Sequence, residues 1–184
     1  IDRDFGSQIP IVGSDHRMGG KMAAELMIGS HCRKVLHISG VSPNIFANER
    51  HKMFQQVLEE RQVEVLQFAM DWNTFHWDAH YRMAEEIFRK HPDIDGVFSG
   101  DLGAAACMNV ALQKGMRIPE DICLVGFDAT SITRMVYPCL TAIRQNVELL
   151  AEISVNTLLD QVEQRKNVPH RQILEVDIQR GGTT

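Results

Sequence analysis

Asp101 and Asp128 each stand at the end of an apolar run, Gly96-Val-Phe-Ser-Gly before the first and Ile122 to Phe127 before the second. Nearly unbroken apolar runs of this length read as strands covered on both faces. Between the two runs, residues 102–114 have helical spacing. Ala106, Val110 and Leu112 form the apolar stripe, and Gly115 is placed to stop the helix. In parallel α/β sheets, ligands bind beyond the carboxyl ends of the strands. Two carboxylates brought there side by side can accept hydrogen bonds from hydroxyls or amines. Each has an ordinary alternative: Asp128 can close a turn at its strand end, and Asp101 can cap the helix that starts at Leu102.

A cation comes from elsewhere. Arg50 opens a predicted helix in the segment Asn48-Glu-Arg. A guanidinium offers a planar fork of donors suited to vicinal hydroxyls or a carboxylate; otherwise it lies solvated on its helix. Trp72, Phe75 and Trp77 cluster in one predicted loop. Aromatic faces pack on the C–H face of a sugar and are common in ligand pockets. Phe75 and Trp77 are the better candidates, and the alternative is a hydrophobic plug under the loop. His76 and His80 have i,i+4 spacing, but no third ligand accompanies them, so no metal site is expected. No nucleophile elbow, Walker loop or G-x-G-x-x-G is present, and no catalytic set or cofactor is expected.

The elements that must position these residues alternate. Strands are predicted at 9–12, 34–38, 63–68, 95–100, 122–127, 140–144 and 173–178. Helices are predicted from the Ser14-Asp15 cap to about 28, and over 47–61, 78–90, 102–114 and 149–164. Such alternation implies a parallel, doubly wound α/β sheet.

At 184 residues, with 44% hydrophobic and 23% charged, the chain has an ordinary globular composition able to bury a core. A net charge of −5 gives no electrostatic footprint for a phosphate backbone, so this segment is not expected to bind nucleic acid itself. No apolar run reaches the ~20 residues of a membrane span. Cys32, Cys107, Cys123 and Cys139 are dispersed and read as free thiols, which suits a reducing cytoplasm.

Several segments occur in a telling order: SDHRMGG, NERHKMF, SGDLGAAACMNVALQKGMRIPEDICLVGFDAT, YPCLTAIRQ and IQRGGTT. Together they resemble the effector-binding core of the LacI/GalR family of bacterial transcription regulators, which is related to the periplasmic sugar-binding proteins. The resemblance implies a two-subdomain, periplasmic-binding-protein-like type I fold with parallel doubly wound sheets and an incomplete N-terminal subdomain. On the family pattern, residues 1–43 fall in the N-terminal subdomain and 44–143 in the C-terminal one. Residues 144–168 would return to the first as a helix, and 169–184 would supply the last strand and tail of the second. The resemblance also implies that Arg50 and Asp128 contact the effector. Asp101 occupies the second place of an Asn-Asp pair whose first place is Gly100 here. Asp2 and Gln145 match lesser contacts, and Asn44 and Phe46 lie at a subdomain crossing where contacts also occur. Two further departures are Ala129, where a second acid is usual, and His16, where Asn is usual. The implied function is sensing of a small molecule, a mono- or disaccharide, by a homodimer. It would act on operator DNA through a helix-turn-helix headpiece upstream of this segment. The alternatives are a periplasmic sugar-binding transport protein, against which the free thiols and the RGGTT end count, and a sugar-processing enzyme.

Overall fold

Apolar runs alternating with amphipathic stretches build a sheet with helices on both faces. The computed structural model describes residues 1–2, 9–41, 45–71, 74–164 and 168–184. In chain order the elements are β1 (Ile11–Ser14), α1 (His16–Gly29), β2 (Lys34–Val41), α2 (Ile45–Glu60), β3 (Glu64–Asp71), α3 (Trp77–Lys90) and β4 (Gly96–Phe98). They continue with α4 (Asp101–Gln113), β5 (Cys123–Asp128), α5 (Ile132–Met135), β6 (Thr141–Gln145), α6 (Val147–Val162), β7 (Arg171–Leu174) and β8 (Val176–Gln179). Six strands form one sheet in the order β3-β2-β4-β5-β6-β8, and β1 pairs with β7 in a second. All pairs are parallel except β6 with β8. β2 runs past the expected Ile38 because its ladder to β3 holds as far as Val41 opposite Asp71.

Strand alternation splits the core between two faces. Leu36, Val97 and Leu124 point to the side covered by α3 and α4, where Met83, Ile87, Phe88, Ala104 and Met108 meet them. Val35, Phe98, Val125 and Phe127 point to the other side, under Ala23, Met27, Phe54 and Leu58 of α1 and α2. α1 and α2 touch backbone to backbone: a Cβ on Gly20 would lie 2.3 Å from the Arg50 carbonyl oxygen. Cys32, Cys107 and Cys123 are buried free thiols, and Cys139 is exposed.

Sheet membership departs from the expected subdomain ranges. β2, expected with residues 1–43 in the smaller unit, pairs with β3 and β4 in the large sheet, and α1 packs on α2 above that sheet. The expected single strand over 173–178 divides. Arg171–Leu174 joins β1, while Val176–Gln179 joins β6. A helix shows its apolar face in its sequence but not which sheet that face will cover, and that is decided by contacts distant in sequence.

The passages between the two sheets are short. Asp15 separates β1 from α1, Asn146 separates β6 from α6, and Glu175 separates β7 from β8. Asp15 (φ −74°, ψ 79°) and Asn146 (φ −82°, ψ 78°) share one backbone conformation. Each also caps the helix it precedes, accepting from Met18 N and Leu149 N. At the chain's other end, Thr183 is fully buried; its hydroxyl donates to the Leu124 carbonyl and its Oγ accepts from Thr141 N.

Candidate functional site

The carboxyl ends of β2, β4 and β5 open on a cavity of about 580 Å³. Its wall includes Ser39 and Gly40 from β2, Arg50 from α2, Thr74 and Phe75 ahead of α3, and His80 within α3. Ser99, Gly100, Asp101 and Gly103 come from the start of α4, and Asp128 and Thr130 from the end of β5. Four of the sequence candidates, Arg50, Asp101, Asp128 and Phe75, therefore share one wall.

Arg50 lies across an aromatic ring, with its guanidinium carbon 3.9 Å from the Phe127 centroid. That is cation–π distance, and the contact holds the guanidinium over the ring. Among the described residues the guanidinium makes no ion pair within 4.0 Å. Burial pulls it below its ordinary value, and the Asp128 and Asp2 carboxylates oppose that. Behind it, His51 Nδ1 and His37 Nε2 share a buried hydrogen bond of 2.9 Å. Desolvation first, and then the neighbouring charges, holds both imidazoles down, His51 to about 4. Arg50 is therefore backed by neutral rings at pH 7.

Asp128 and Ala129 both adopt left-handed backbone, φ 101° and 56°. Such conformations cost non-glycine residues of order 1–3 kcal/mol and persist only when held in place. Two clamps hold this pair. Thr130 donates its N–H (2.6 Å) and its hydroxyl (2.8 Å) to Asp101 Oδ2. Gln145 Nε2 donates to Asp128 Oδ1 at 2.5 Å. Burial raises the Asp128 carboxyl above the usual range, while Arg50 and Gln145 pull it back.

Asp101 does not cap α4. Gly100 stands at the cap and Asp101 is the first helical residue. Its carboxylate turns to Thr130 instead, and a Cβ on Gly126 would sit 2.4 Å from its Oδ1. Only 4% exposed, it is pushed up to about 6, chiefly by burial. The folded chain thus holds this proton more firmly than the unfolded one, so the contribution is fully present below pH 3.8 and is lost as pH rises through about 6. Asp101→Asn should therefore gain on the parent between pH 4.5 and 7.5, by about 2 kcal/mol. Thermal unfolding at both pH values measures this, and an equal difference at the two would contradict it.

The other candidates fall elsewhere. Trp77 opens α3, is 40% exposed and packs near Tyr81 at 6.3 Å. It is not among the described residues lining this cavity. Asp2 and Gln145 sit beside it in a polar network: Asp2 Oδ1 accepts from Ser14 N, and Gln145 joins Ser14 to Asp128. Asn44 and Trp72 lie outside the described residues, as does the side chain of Phe46. Among the residues that were not foreseen, three make distinctive contacts at or beside the cavity. His16 stacks on Phe127 at 5.3 Å, and its Nε2 is 3.4 Å from Asp2 Oδ1. Thr130 clamps Asp101, and His80 lines the wall with Nε2 2.9 Å from the Thr74 carbonyl. Of these, His16 stood out as a replacement of a usual Asn and His80 by its i,i+4 spacing with His76, while Thr130 gave no signal of its own.

This arrangement suits recognition of hydroxyls: a stacked fork of donors faces carboxylate acceptors, with the Phe75 ring at the rim. Residues 24–184 match the family model of the periplasmic binding protein-like domain. The ribose operon repressor of Halalkalibacterium halodurans is 33% identical over 90% of this chain and 49% of its own length. The transcriptional regulator CelR in complex with cellobiose superposes with a TM-score of 0.87 at 26% identity, over 99% of this chain and 57% of that one. A periplasmic binding protein/LacI transcriptional regulator from Alkaliphilus metalliredigens, complexed with D-xylulofuranose, gives 0.81 at 27% identity, over 93% and 64%. The chain spans about half the length of the curated relatives it matches.

Proposed function

The chain belongs to the periplasmic binding protein-like domain family, and on that premise we propose that it is the effector-sensing core of a LacI-type transcriptional regulator. The carrying observation is the convergence of Arg50, Asp101, Asp128 and Phe75 on one cavity at the carboxyl edge of the large sheet. The effector is a neutral mono- or disaccharide. It accepts from Arg50, donates to Asp128 and lays its C–H face near Phe75. The ribose operon repressor and the cellobiose complex of CelR support this reading. In the whole protein, which is cytoplasmic and homodimeric on this reading, a helix-turn-helix headpiece outside this segment engages the operator. Sugar shifts the balance between open and closed arrangements by its difference in affinity for the two, and operator affinity changes in return.

The described wall residues include three aspartates, Asp71, Asp101 and Asp128, against one arginine, Arg50. A phosphorylated sugar would bring its charge into that field. Calorimetric titration with D-ribose, D-xylulose, cellobiose and sucrose should find a ligand in the micromolar range. The corresponding sugar phosphate should bind at least a hundredfold more weakly, about 2.7 kcal/mol. If none of the four sugars bound, the sugar reading would be lost.

A further inference from the structure

We propose that Ser14 and Gln145 form a hydrogen-bonded relay carrying the state of Asp128 into the small sheet, with Gln145 a positioning residue rather than an effector contact. The proposal rests on the reading of the cavity as a sugar site. Gln145 is the last residue of β6, Asp128 the last of β5, and Ser14 the last of β1. Both ends of the Gln145 amide are engaged: Nε2 with Asp128 Oδ1 at 2.5 Å and Oε1 with Ser14 Oγ at 2.6 Å.

Chemistry fixes the direction of this chain. An ionised carboxylate only accepts, so the amide must turn its NH2 to Asp128. Its carbonyl then faces Ser14, whose hydroxyl must donate. The pattern cannot be reversed without setting the amide carbonyl against the carboxylate, two acceptors face to face. Ser14 is 1% exposed, so its hydroxyl has no water to turn to if the amide moves away. Its backbone N–H is bound to Asp2 Oδ1 at 2.8 Å, and its Cα is in register with Leu174 of β7. A change in the orientation of Asp128 thus meets the small sheet within two hydrogen bonds. Asp128 is a suitable trigger, because its left-handed backbone is held by the Gln145 bond on one side and by the Thr130–Asp101 bonds on the other. A sugar hydroxyl donating to Asp128 shares the carboxylate with the Gln145 N–H, so it can turn that carboxylate and the bond it holds.

Two measurements test this. Without ligand, the side-chain amide of Gln145 should give two distinct, slowly exchanging signals in a 15N spectrum. Both should shift in Ser14→Ala and in Asp128→Asn. An amide signal indifferent to Ser14→Ala would overturn the relay whether or not any sugar binds. With the tightest binder among D-ribose, D-xylulose, cellobiose and sucrose, the parent chain should show ligand-induced hydrogen-exchange protection at Ile11–Ser14 and Arg171–Leu174. Ser14→Ala should keep the dissociation constant within about threefold, yet lose most of that protection. Retention of full protection in Ser14→Ala would overturn transmission through this path. Failure of every sugar to bind the parent chain would instead overturn the sugar reading, with the Gln145 spectrum still deciding the relay.

Discussion

Arg50→Ala is expected to raise the Kd of the best sugar by at least a hundredfold, and Asp128→Asn by roughly tenfold to a hundredfold. The guanidinium is held over Phe127 at 3.9 Å, so its donors meet a ligand already oriented. Bonds from a charged donor contribute about 1.5–3 kcal/mol each, and loss of a two-pronged contact removes more than one of them. The loss also acts on the acids. Arg50 is the main group drawing the Asp128 carboxyl down against burial. Without it, Asp128 takes up a proton more readily and becomes a poorer acceptor. Arg50→Lys should recover only part of the affinity, because an ammonium keeps the charge but has neither the planar stack nor the fork. Calorimetry on the three variants decides: affinities equal to the parent's in both Arg50→Ala and Asp128→Asn would remove this cavity from consideration.

Gly20→Ala is expected to cost about 2–4 kcal/mol of stability and to weaken sugar binding with it. The added methyl would lie 2.3 Å from the Arg50 carbonyl oxygen and 3.1 Å from its carbon, both backbone atoms. α2 would have to move away from α1, taking Arg50 off Phe127. Gly29, in the same helix, is the control, since a Cβ there meets nothing within 4 Å. Gly29→Ala should leave stability within about 1 kcal/mol of the parent, or improve it. Thermal unfolding and sugar titration on the pair make the comparison. Equal stability of the two variants would show that the contact between α1 and α2 is looser than described.

Strand ends were the most legible part of this sequence. Apolar runs closing on Asp101 and Asp128 could be read directly because each depends on neighbouring residues; Arg50 was rightly placed on a helix, but α2 begins at Ile45 and Arg50 is its sixth residue rather than its opening. Phe75 and Trp77 could not be separated in the same way. Both belong to one aromatic cluster, but Trp77 is the first residue of α3, so the onset of the helix turns its ring toward Tyr81 while Phe75 remains at the cavity. Asp101 was open to misreading for a related reason. A one-residue shift gives the cap to Gly100, and the partner that claims the carboxylate, Thr130, comes 29 residues later. The placing of α1 on the large sheet depends on Gly19 and Gly20 fitting against Phe127 and Arg50, and that of β2 on its ladders to β3 and β4, pairs far apart in the chain. Helical periodicity carries no record of such partners. His16 shows the same limit: a departure from the family pattern was visible, but its stacking on Phe127 was not.

Asp15, Asn146 and Glu175 give the passages between the sheets almost no slack. Three tethers a residue long, set side by side, forbid sliding and leave only pivoting through small changes in backbone torsion. Two of the three residues also hold the first turn of a helix, so any pivot bears on those turns. A loosened tether, such as Asn146→Gly, would leave two others to define the same axis. Motion of the small sheet is therefore expected to keep its direction under single substitutions there, changing in ease rather than in kind.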